Sequence, residues 1–333
     1  MSCLSYPCTI IAGNILGGCY IYTNDLLALE AATPFKVSLP SDCCLINSPL
    51  KANVWERMLS THPDKQYANF IVGGVSSGFR IGCQASKDRL QSSSRNMSAA
   101  YANPAVVDKY IMEEVAHGRL VQVQPPLSSS IHISRMGVIP KKHQPGKWRL
   151  IVDLSSPTGA SINDFVDPGL CSLSYASVED AAAFVFRAGK GALLAKLDIK
   201  SAYRNVPVHP EDHHLLGICW QGKTFVDTCL PFGLRSAPKV FNATADALEW
   251  IIVNQGGSLV EFILHYLDDF LFGGRPESDS YSKTLDLALH LCHEVGFPVI
   301  SEKVVGPSTV IDFLGFIIDT LAMEFRLPDE KLS

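Results

Sequence analysis

Three aspartates border apolar stretches with the composition of β-strands. Asp198 ends the stretch ALLAKLD, and Asp268 and Asp269 stand between the stretches EFILHYL and FLFG. Adjacent carboxylates repel each other unless a cation neutralises them, and aspartate is a poor strand former. If the strands lie side by side, the acids meet at one edge of a sheet, where oxygen ligands suit Mg²⁺ and substrate phosphates. The pattern predicts two-metal phosphoryl transfer, with an ordinary hairpin turn as the alternative.

Two further motifs carry groups suited to phosphate or nucleotide binding. The segment GVIPKKHQPGKWRLIVDL has four basic side chains, which are Lys141, Lys142, Lys147 and Arg149. This segment is either a solvated basic hairpin or a clamp for a triphosphate, because arginine makes bidentate contacts with phosphate. In the segment LPFGLRSAP, Gly233 permits a close approach of the backbone to a ligand.

Helices and strands alternate irregularly along the chain, which predicts an α+β fold rather than a doubly wound sheet. Hydrophobic periodicity and capping residues predict helices over Pro104 to His117, VEDAAAFVFRA, Ser236 to Asn254 and 280–295. Residues 1–50 show little periodicity and are predicted to be an extension of uncertain order. A helical region is predicted over 51–125, and the turn residues near Pro125 and Pro126 mark the start of a third region, 126–333.

The charge distribution excludes a globally basic nucleic-acid-binding protein. The chain has 333 residues, 28 basic and 33 acidic side chains, and a formal net charge of −5. Residues 131–204 nevertheless carry a net charge of +4, and residues 205–333 carry −10. A basic middle segment beside an acidic last third predicts that the protein binds a polyanion on one side and metal ions on the other.

The cysteines predict a reducing, intracellular environment. The ten cysteines include no C-x-x-C pair, so neither a zinc site nor a disulfide framework is expected. The apolar residues 8–22 lack a basic flank and are interrupted by glycines, so no signal peptide or membrane contact is expected. The protein is expected in the cytoplasm or nucleus and is not expected to be secreted.

Together these motifs resemble the reverse transcriptases of retroelements over roughly residues 50–330. LDIKSAY resembles their motif A, LPFGLRSAP motif B, YLDD motif C, GFPVISEK motif D, FLGFIID the primer grip of motif E, and KWRLIVDLS the fingers motif. The segments VWERMLSTHPD, GFRIG and YRNVPVHPEDHHLLGICWQGK further resemble DIRS-type (tyrosine-recombinase) retrotransposons.

The resemblance implies a role for each matching residue. Asp198, Asp268 and Asp269 would hold two Mg²⁺ ions, with Mn²⁺ as a possible substitute, and Lys303 would protonate the leaving pyrophosphate. The residues implied in dNTP binding are Lys142, Arg149, Lys200, Ser201, Ala202, Tyr203, Phe232 and Gly233. Tyr203 would exclude a ribose 2′-OH. The implied primer grip is Phe313, Leu314 and Gly315.

The implied fold is a right-hand polymerase, with an α+β palm built on an antiparallel sheet with packed helices, and with fingers from the flanking elements. The implied activity is that of an RNA-directed DNA polymerase acting on an RNA or DNA template, a primer and dNTPs. Because the chain ends soon after FLGF, the thumb is expected to be absent or truncated. The chain is then expected to be part of a larger polyprotein with an RNase H domain.

Two alternatives stay open. One is an inactive nucleic-acid-binding remnant of such an element. The other is a palm-domain nucleotide cyclase, against which the KWR, LPFG and primer-grip motifs argue.

Overall fold

The computed structural model describes residues 10–11, 23–37, 46–93, 95–126, 130–141 and 146–328. The helices within these ranges are α1 (Thr23–Ala31), α2 (Ala52–Leu59), α3 (Lys65–Ser77), α4 (Ser98–Ala102), α5 (Pro104–Ala116), α6 (Val178–Ala188), α7 (Ala237–Gly256) and α8 (Ser280–Val295). The strands are β1 (Ile10–Ile11), β2 (Leu120–Val123), β3 (Arg135–Pro140), β4 (Trp148–Asp153), β5 (Leu193–Asp198), β6 (Gly217–Trp220), β7 (Lys223–Asp227), β8 (Phe262–Tyr266), β9 (Asp269–Gly274), β10 (Val305–Ser308), β11 (Val310–Phe313), β12 (Phe316–Asp319) and β13 (Glu324–Arg326).

The central sheet has the strand order β1-β8-β9-β5-β10, and each neighbouring pair is antiparallel. Side chains alternate between its two faces, as the period of a strand requires. From β5, Ala195 and Leu197 join the core formed with α7 and α8, whereas Leu194 faces α6 and the β11–β12 hairpin. Both faces are covered, which is why β5, β8 and β9 are almost continuously apolar in sequence.

A second region lies before and beside this sheet. It contains the antiparallel sheet β2-β7-β6 and the β3–β4 hairpin, joined by a bridge between Ile133 and Gly217. Helix α5 packs on it through Val107 and Ile111, in a core shared with Met136 and other apolar side chains. The β3–β4 hairpin, which carries basic side chains, is thus packed into this region.

Several elements confirm the sequence predictions. Helix α5 covers Pro104–Ala116, with Gly118 in a left-handed conformation after it, and α6 begins with a capping box between Ser177 and Asp180. Helix α1 was not expected, and its residues Leu26 and Leu29 are buried in the main core, whereas α2 lies within the predicted helical region 51–125. Residues 1–9, 12–22 and 38–45 of the predicted extension lie outside the described residues, and the three-part division of the chain stays a prediction.

The described part of the chain contains free cysteines and no helix that could span a membrane. Each cysteine there is a free thiol. None of the helices there combines the length and the apolar character needed to cross a bilayer.

Candidate active site

The three aspartates lie at one edge of the central sheet. Asp198, the last residue of β5, is the register partner of Asp269, the first residue of β9. Asp268 lies in the turn between β8 and β9, where Leu267 has a φ of 54°. The backbone carbonyl of Asp268 accepts a hydrogen bond from the Ile199 amide at 3.0 Å, which ties this turn to the chain after β5. The turn therefore consists of Leu267 and Asp268, and Asp269 already belongs to a strand.

The electrostatics of this edge show an excess of negative charge. Burial, followed by the charges of Asp268 and Asp198, raises the pKa of Asp269 to about 6. Burial and the Asp198 charge likewise raise the pKa of Asp268. Lys303 supplies the compensating charge, because its Nζ donates to Oδ2 of Asp198 at 2.5 Å.

Neighbouring carboxylates whose charges raise the pKa of Asp268 and Asp269 are a donor set that fits a divalent cation. Among the described residues, however, no group of three His, Cys, Asp or Glu side chains stands in an arrangement that could already hold a metal ion. Lys303 is 56% exposed and lies in a short 3₁₀ turn, Ser301–Lys303. Its hydrogen bond to Asp198 raises its pKa, so the ammonium stays protonated beside the acids.

The loop after β5 has an unusual backbone. Ser201 and Ala202 have φ values of 62° and 23°, and a 3₁₀ turn covers Ala202–Asn205. The Lys200 amide donates to the Pro298 carbonyl at 2.8 Å, and Asn205 Nδ2 donates to the Lys200 carbonyl at 2.8 Å. These bonds fix the loop beside Asp198. Phosphate binding by the backbone of Lys200, Ser201 and Ala202 stays a prediction.

Tyr203 lies between two phenylalanines. Its ring centroid is 5.2 Å from that of Phe232 and 5.3 Å from that of Phe241. Burial raises the pKa of its hydroxyl, so Tyr203 is a neutral, partly apolar wall. Phe232 is 51% exposed, so the two rings form a surface that is open to a ligand on one side. Discrimination against the 2′-OH by Tyr203 stays a prediction.

The loop that carries Phe232 passes close to the β3–β4 hairpin. Gly233 has a φ of 96°, and a Cβ atom there would lie 2.7 Å from the backbone oxygen of Val152 in β4. Only glycine fits this contact. Arg149, also on β4, is exposed. Lys142 lies outside the described residues, so its predicted role in triphosphate binding has no structural account.

The predicted primer grip forms the β11–β12 hairpin. Phe313 is buried, and Leu314 and Gly315 form the turn with φ values of 50° and 79°. Lys196 of β5 holds this hairpin, because its Nζ lies 2.8 Å from the Asp312 carbonyl and 2.7 Å from Asp312 Oδ1. The hairpin is therefore attached to the strand that ends in Asp198. Contact of these residues with a primer stays a prediction.

Two buried polar networks escaped the sequence analysis. Arg204, next to Tyr203, forms ion pairs with Glu114 of α5 at 2.6 Å and with Asp227 of β7 at 2.7 Å. Burial raises the pKa of Asp227 to about 6, although the charge of Arg204 acts against that rise. The only sequence signal for this network was the arginine directly after the motif LDIKSAY, and its partners are too distant in sequence to be identified.

The second network supports the turn between β8 and β9. His265 Nε2 lies 2.9 Å from Asp246 Oδ1 and 3.8 Å from Glu249 Oε2, and its Nδ1 lies 3.2 Å from the Leu267 carbonyl. Burial alone would lower the pKa of His265, but the hydrogen bond and charge of Asp246, together with Glu249, raise it. The protonated ring can donate to Asp246 and to the turn at the same time.

The chain matches one protein family model. The model is described as reverse transcriptase (RNA-dependent DNA polymerase), and it matches residues 139–318. This range begins in β3 and ends in β12, so it includes all three aspartates, Lys303 and the primer-grip hairpin.

Similar proteins are parts of viral and transposon polyproteins. The chain is 25% identical over 208 residues to the Pro-Pol polyprotein of feline foamy virus, which is 62% of this chain and 16% of that protein. It is 28% identical over 130 residues to the Pol polyprotein from transposon gypsy of Drosophila melanogaster, which is 39% of this chain and 12% of that protein. The chain thus spans less than a fifth of the length of these relatives.

Solved structures show the same fold. The foamy viral protease-reverse transcriptase in complex with double-stranded DNA covers 84% of this chain and 47% of its own, with a TM-score of 0.56 and 17% identity. Its complex with an RNA/DNA hybrid covers 89% of this chain and 37% of its own, with a TM-score of 0.55 and 16% identity. The predicted fold class, a mixed helix-and-sheet polymerase with antiparallel sheets, is confirmed.

Proposed function

The chain belongs to the reverse transcriptase (RNA-dependent DNA polymerase) family, and we propose that it extends a primer 3′-OH with deoxynucleotides on an RNA or DNA template. One observation carries the proposal. Asp198 and Asp269 are register partners on neighbouring strands, Asp268 lies in the adjoining turn, and Lys303 is bonded to Asp198. The family membership disfavours the cyclase alternative.

The carboxylates are proposed to hold two Mg²⁺ ions, for which Mn²⁺ could substitute. When bound, such ions activate the attacking oxygen and neutralise charge on the transferred phosphoryl group and the leaving oxygen. The crowding that raises the pKa of Asp268 and Asp269 supports this proposal, because a cation would relieve the repulsion.

The protein residues are proposed to position the reactants. Tyr203 and Phe232 form the wall against which the sugar and base of the dNTP lie, and Arg149 with Lys142 contacts the triphosphate. Lys303, a protonated ammonium beside Asp198, can give a proton to the pyrophosphate as it leaves. The β11–β12 hairpin places the primer end, and Lys196 holds that hairpin to β5. Correct placement of the reactants contributes a large part of the rate enhancement in reactions of this kind.

The proposed partners follow from charge and from the relatives. The solved neighbours are complexes with double-stranded DNA or an RNA/DNA hybrid, and residues 131–204 of this chain carry a net positive charge. We propose that the chain is the reverse transcriptase part of a longer intracellular polyprotein that includes RNase H. A DIRS-type element is the proposed source, on the motifs named above, and a tyrosine-recombinase gene in the same element would test that assignment.

Primer extension with matched aspartate variants tests the proposed function. The wild-type chain with Mg²⁺ should extend a DNA primer on an RNA template, whereas Asp268→Asn should reduce extension by at least about a thousandfold. Asp286→Asn makes the same chemical change on an exposed site of α8 and should extend at the wild-type rate. Near-wild-type extension by Asp268→Asn would remove Asp268 from catalysis. If the folded wild-type chain failed to extend while it still bound primer–template, the inactive-remnant alternative would be favoured.

A further inference from the structure

Asn163 is a buried amide at the centre of a tight turn. It lies in the 3₁₀ turn Ile162–Phe165 and is 4% exposed. The turn begins with a capping box in which the backbone N–H of Ser161 donates to Asp164 Oδ2 at 3.0 Å. The Asn163 amide N–H donates to the Leu154 carbonyl at 3.0 Å, so the turn is attached to the residues that follow β4.

The side chain of Asn163 bonds to the backbone on both sides of Leu234. Its Nδ2 donates to the Gly233 carbonyl at 2.8 Å, and its Oδ1 accepts from the Arg235 amide at 2.8 Å. The second hydrogen of Nδ2 goes to Ser155 Oγ at 2.8 Å. The Arg235 guanidinium also donates to the backbone carbonyl of Asn163. The side-chain amide of Asn163 therefore makes the kind of backbone hydrogen bonds with this loop that a neighbouring strand would make.

This loop is one wall of the proposed nucleotide site. Phe232, the residue before Gly233, faces Tyr203, and Gly233 packs against the Val152 oxygen of β4. Strand β4, which carries Arg149, is the other wall of the site. Asn163 joins these two walls, and because it is buried it does not reach the open surface of the site.

We propose that Asn163 is a positioning residue for the incoming dNTP, because it sets the Phe232–Gly233 loop at a fixed distance from β4. The inference rests on the proposed polymerase function. If Asn163 were purely structural, its replacement would lower stability and would not act selectively on nucleotide binding. If Asn163 is a positioning residue, its replacement raises the KM for dNTP and leaves the chemical step and primer–template binding unchanged.

Asn163→Asp is the most informative variant, with Asn96→Asp as its matched control. Aspartate keeps the acceptor for the Arg235 amide but removes the donor to the Gly233 carbonyl. Asn96 makes the same kind of bridge, since Nδ2 donates to the Cys219 carbonyl at 2.8 Å and Oδ1 accepts from the Met136 amide at 2.8 Å. That bridge joins two strands and does not contact the Phe232–Gly233 loop.

We expect Asn163→Asp to raise the KM for dNTP about tenfold, with kcat and the primer–template Kd within about twofold of wild type. Asn96→Asp should lower the melting temperature and leave the KM for dNTP unchanged. An unchanged KM in Asn163→Asp, or an equal rise in Asn96→Asp, would overturn the inference. If Asn163→Asp does not fold, Asn163→Ser answers the same question, because serine has one hydroxyl oxygen in place of the separate donor and acceptor atoms that bind Gly233 and Arg235.

A measurement that needs no activity separates this inference from the proposed function. In Asn163→Ala the Arg235 amide loses its acceptor, so its hydrogen exchange should accelerate at least about tenfold, and Asn96→Ala should leave it unchanged. If exchange is faster but the wild-type chain extends no primer, the role of Asn163 in holding the Phe232–Gly233 loop is supported and the polymerase proposal is refuted. Unchanged exchange would refute that role of Asn163, whether or not the wild-type chain is active.

Discussion

Replacing Glu249 by glutamine should flatten the dependence of stability on pH. Glu249 lies on α7, is 5% exposed, and faces His265, which also contacts Asp246 and stacks on Phe270. Burial raises the pKa of Glu249 from 4.5 to about 8, although the charge of His265 acts against that rise. Unfolding lets the carboxyl ionise at its ordinary pKa. The contribution of Glu249 to the free energy of unfolding is therefore fully present below about pH 4.5, and it is lost as the pH rises to about 8.

The magnitude follows from the size of the shift. Each pKa unit corresponds to about 1.4 kcal/mol, so a shift from 4.5 to about 8 gives an upper limit of about 5 kcal/mol. The raised pKa of His265 acts in the same direction, because a protonated histidine stabilises the fold at low pH and this contribution is lost as the pH rises through its folded pKa. Glutamine at position 249 does not ionise, so the Glu249 contribution disappears, and the part of the His265 contribution that Asp246 supports should remain.

Urea unfolding in EDTA, between about pH 5 and pH 8.5, measures this difference. The free energy of unfolding should fall more steeply with pH in wild type than in Glu249→Gln, by up to about 1.4 kcal/mol per pH unit. Glu56→Gln, which changes an exposed glutamate of α2, should follow the wild-type curve. Parallel curves for wild type and Glu249→Gln would refute the reasoning that Glu249 is neutral in the folded protein.

Two further substitutions test the proposed nucleotide and primer sites. Tyr203→Ala should raise the use of GTP relative to dGTP at least about tenfold in the ratio of kcat/KM values; an unchanged ratio in a competition assay would leave Tyr203 as a packing residue. Lys196→Met should weaken extension of the primer terminus about tenfold and leave the KM for dNTP unchanged, because it removes the two contacts to Asp312 that hold the β11–β12 hairpin. Single-turnover extension on a primer–template would measure this effect, and wild-type rates would show that the hairpin needs no such support.

Local signals were sufficient for much of the fold. The capping box of Ser177 and Asp180 places the start of α6, and the apolar stretches around Asp198, Asp268 and Asp269 place β5, β8 and β9. The sequence showed that the three acids would meet at one edge if the strands lay side by side, and the pairing of β5 with β9 brings them there. The sequence placed both Asp268 and Asp269 between two apolar stretches, whereas in the structure Asp269 is the first residue of β9 and pairs with Asp198.

Contacts between distant parts of the chain could not be predicted. Arg204 and Glu114 are 90 residues apart, and Lys196 and Asp312 are 116 residues apart. The sequence around Asn163 carries no signal for its contact with Gly233, which lies 70 residues later. Such contacts depend on how the elements pack, and no periodicity or spacing in the sequence encodes them.

Template-directed synthesis is the most direct test of the central claim. A labelled DNA primer on an RNA template of known sequence would be incubated with the wild-type chain, Mg²⁺ and three of the four dNTPs. We expect extension up to the first template base that requires the missing dNTP, full extension once that dNTP is added, and none with Asp268→Asn. Extension past the template base that requires the missing dNTP, or equal extension by Asp268→Asn, would contradict template-directed synthesis at this site.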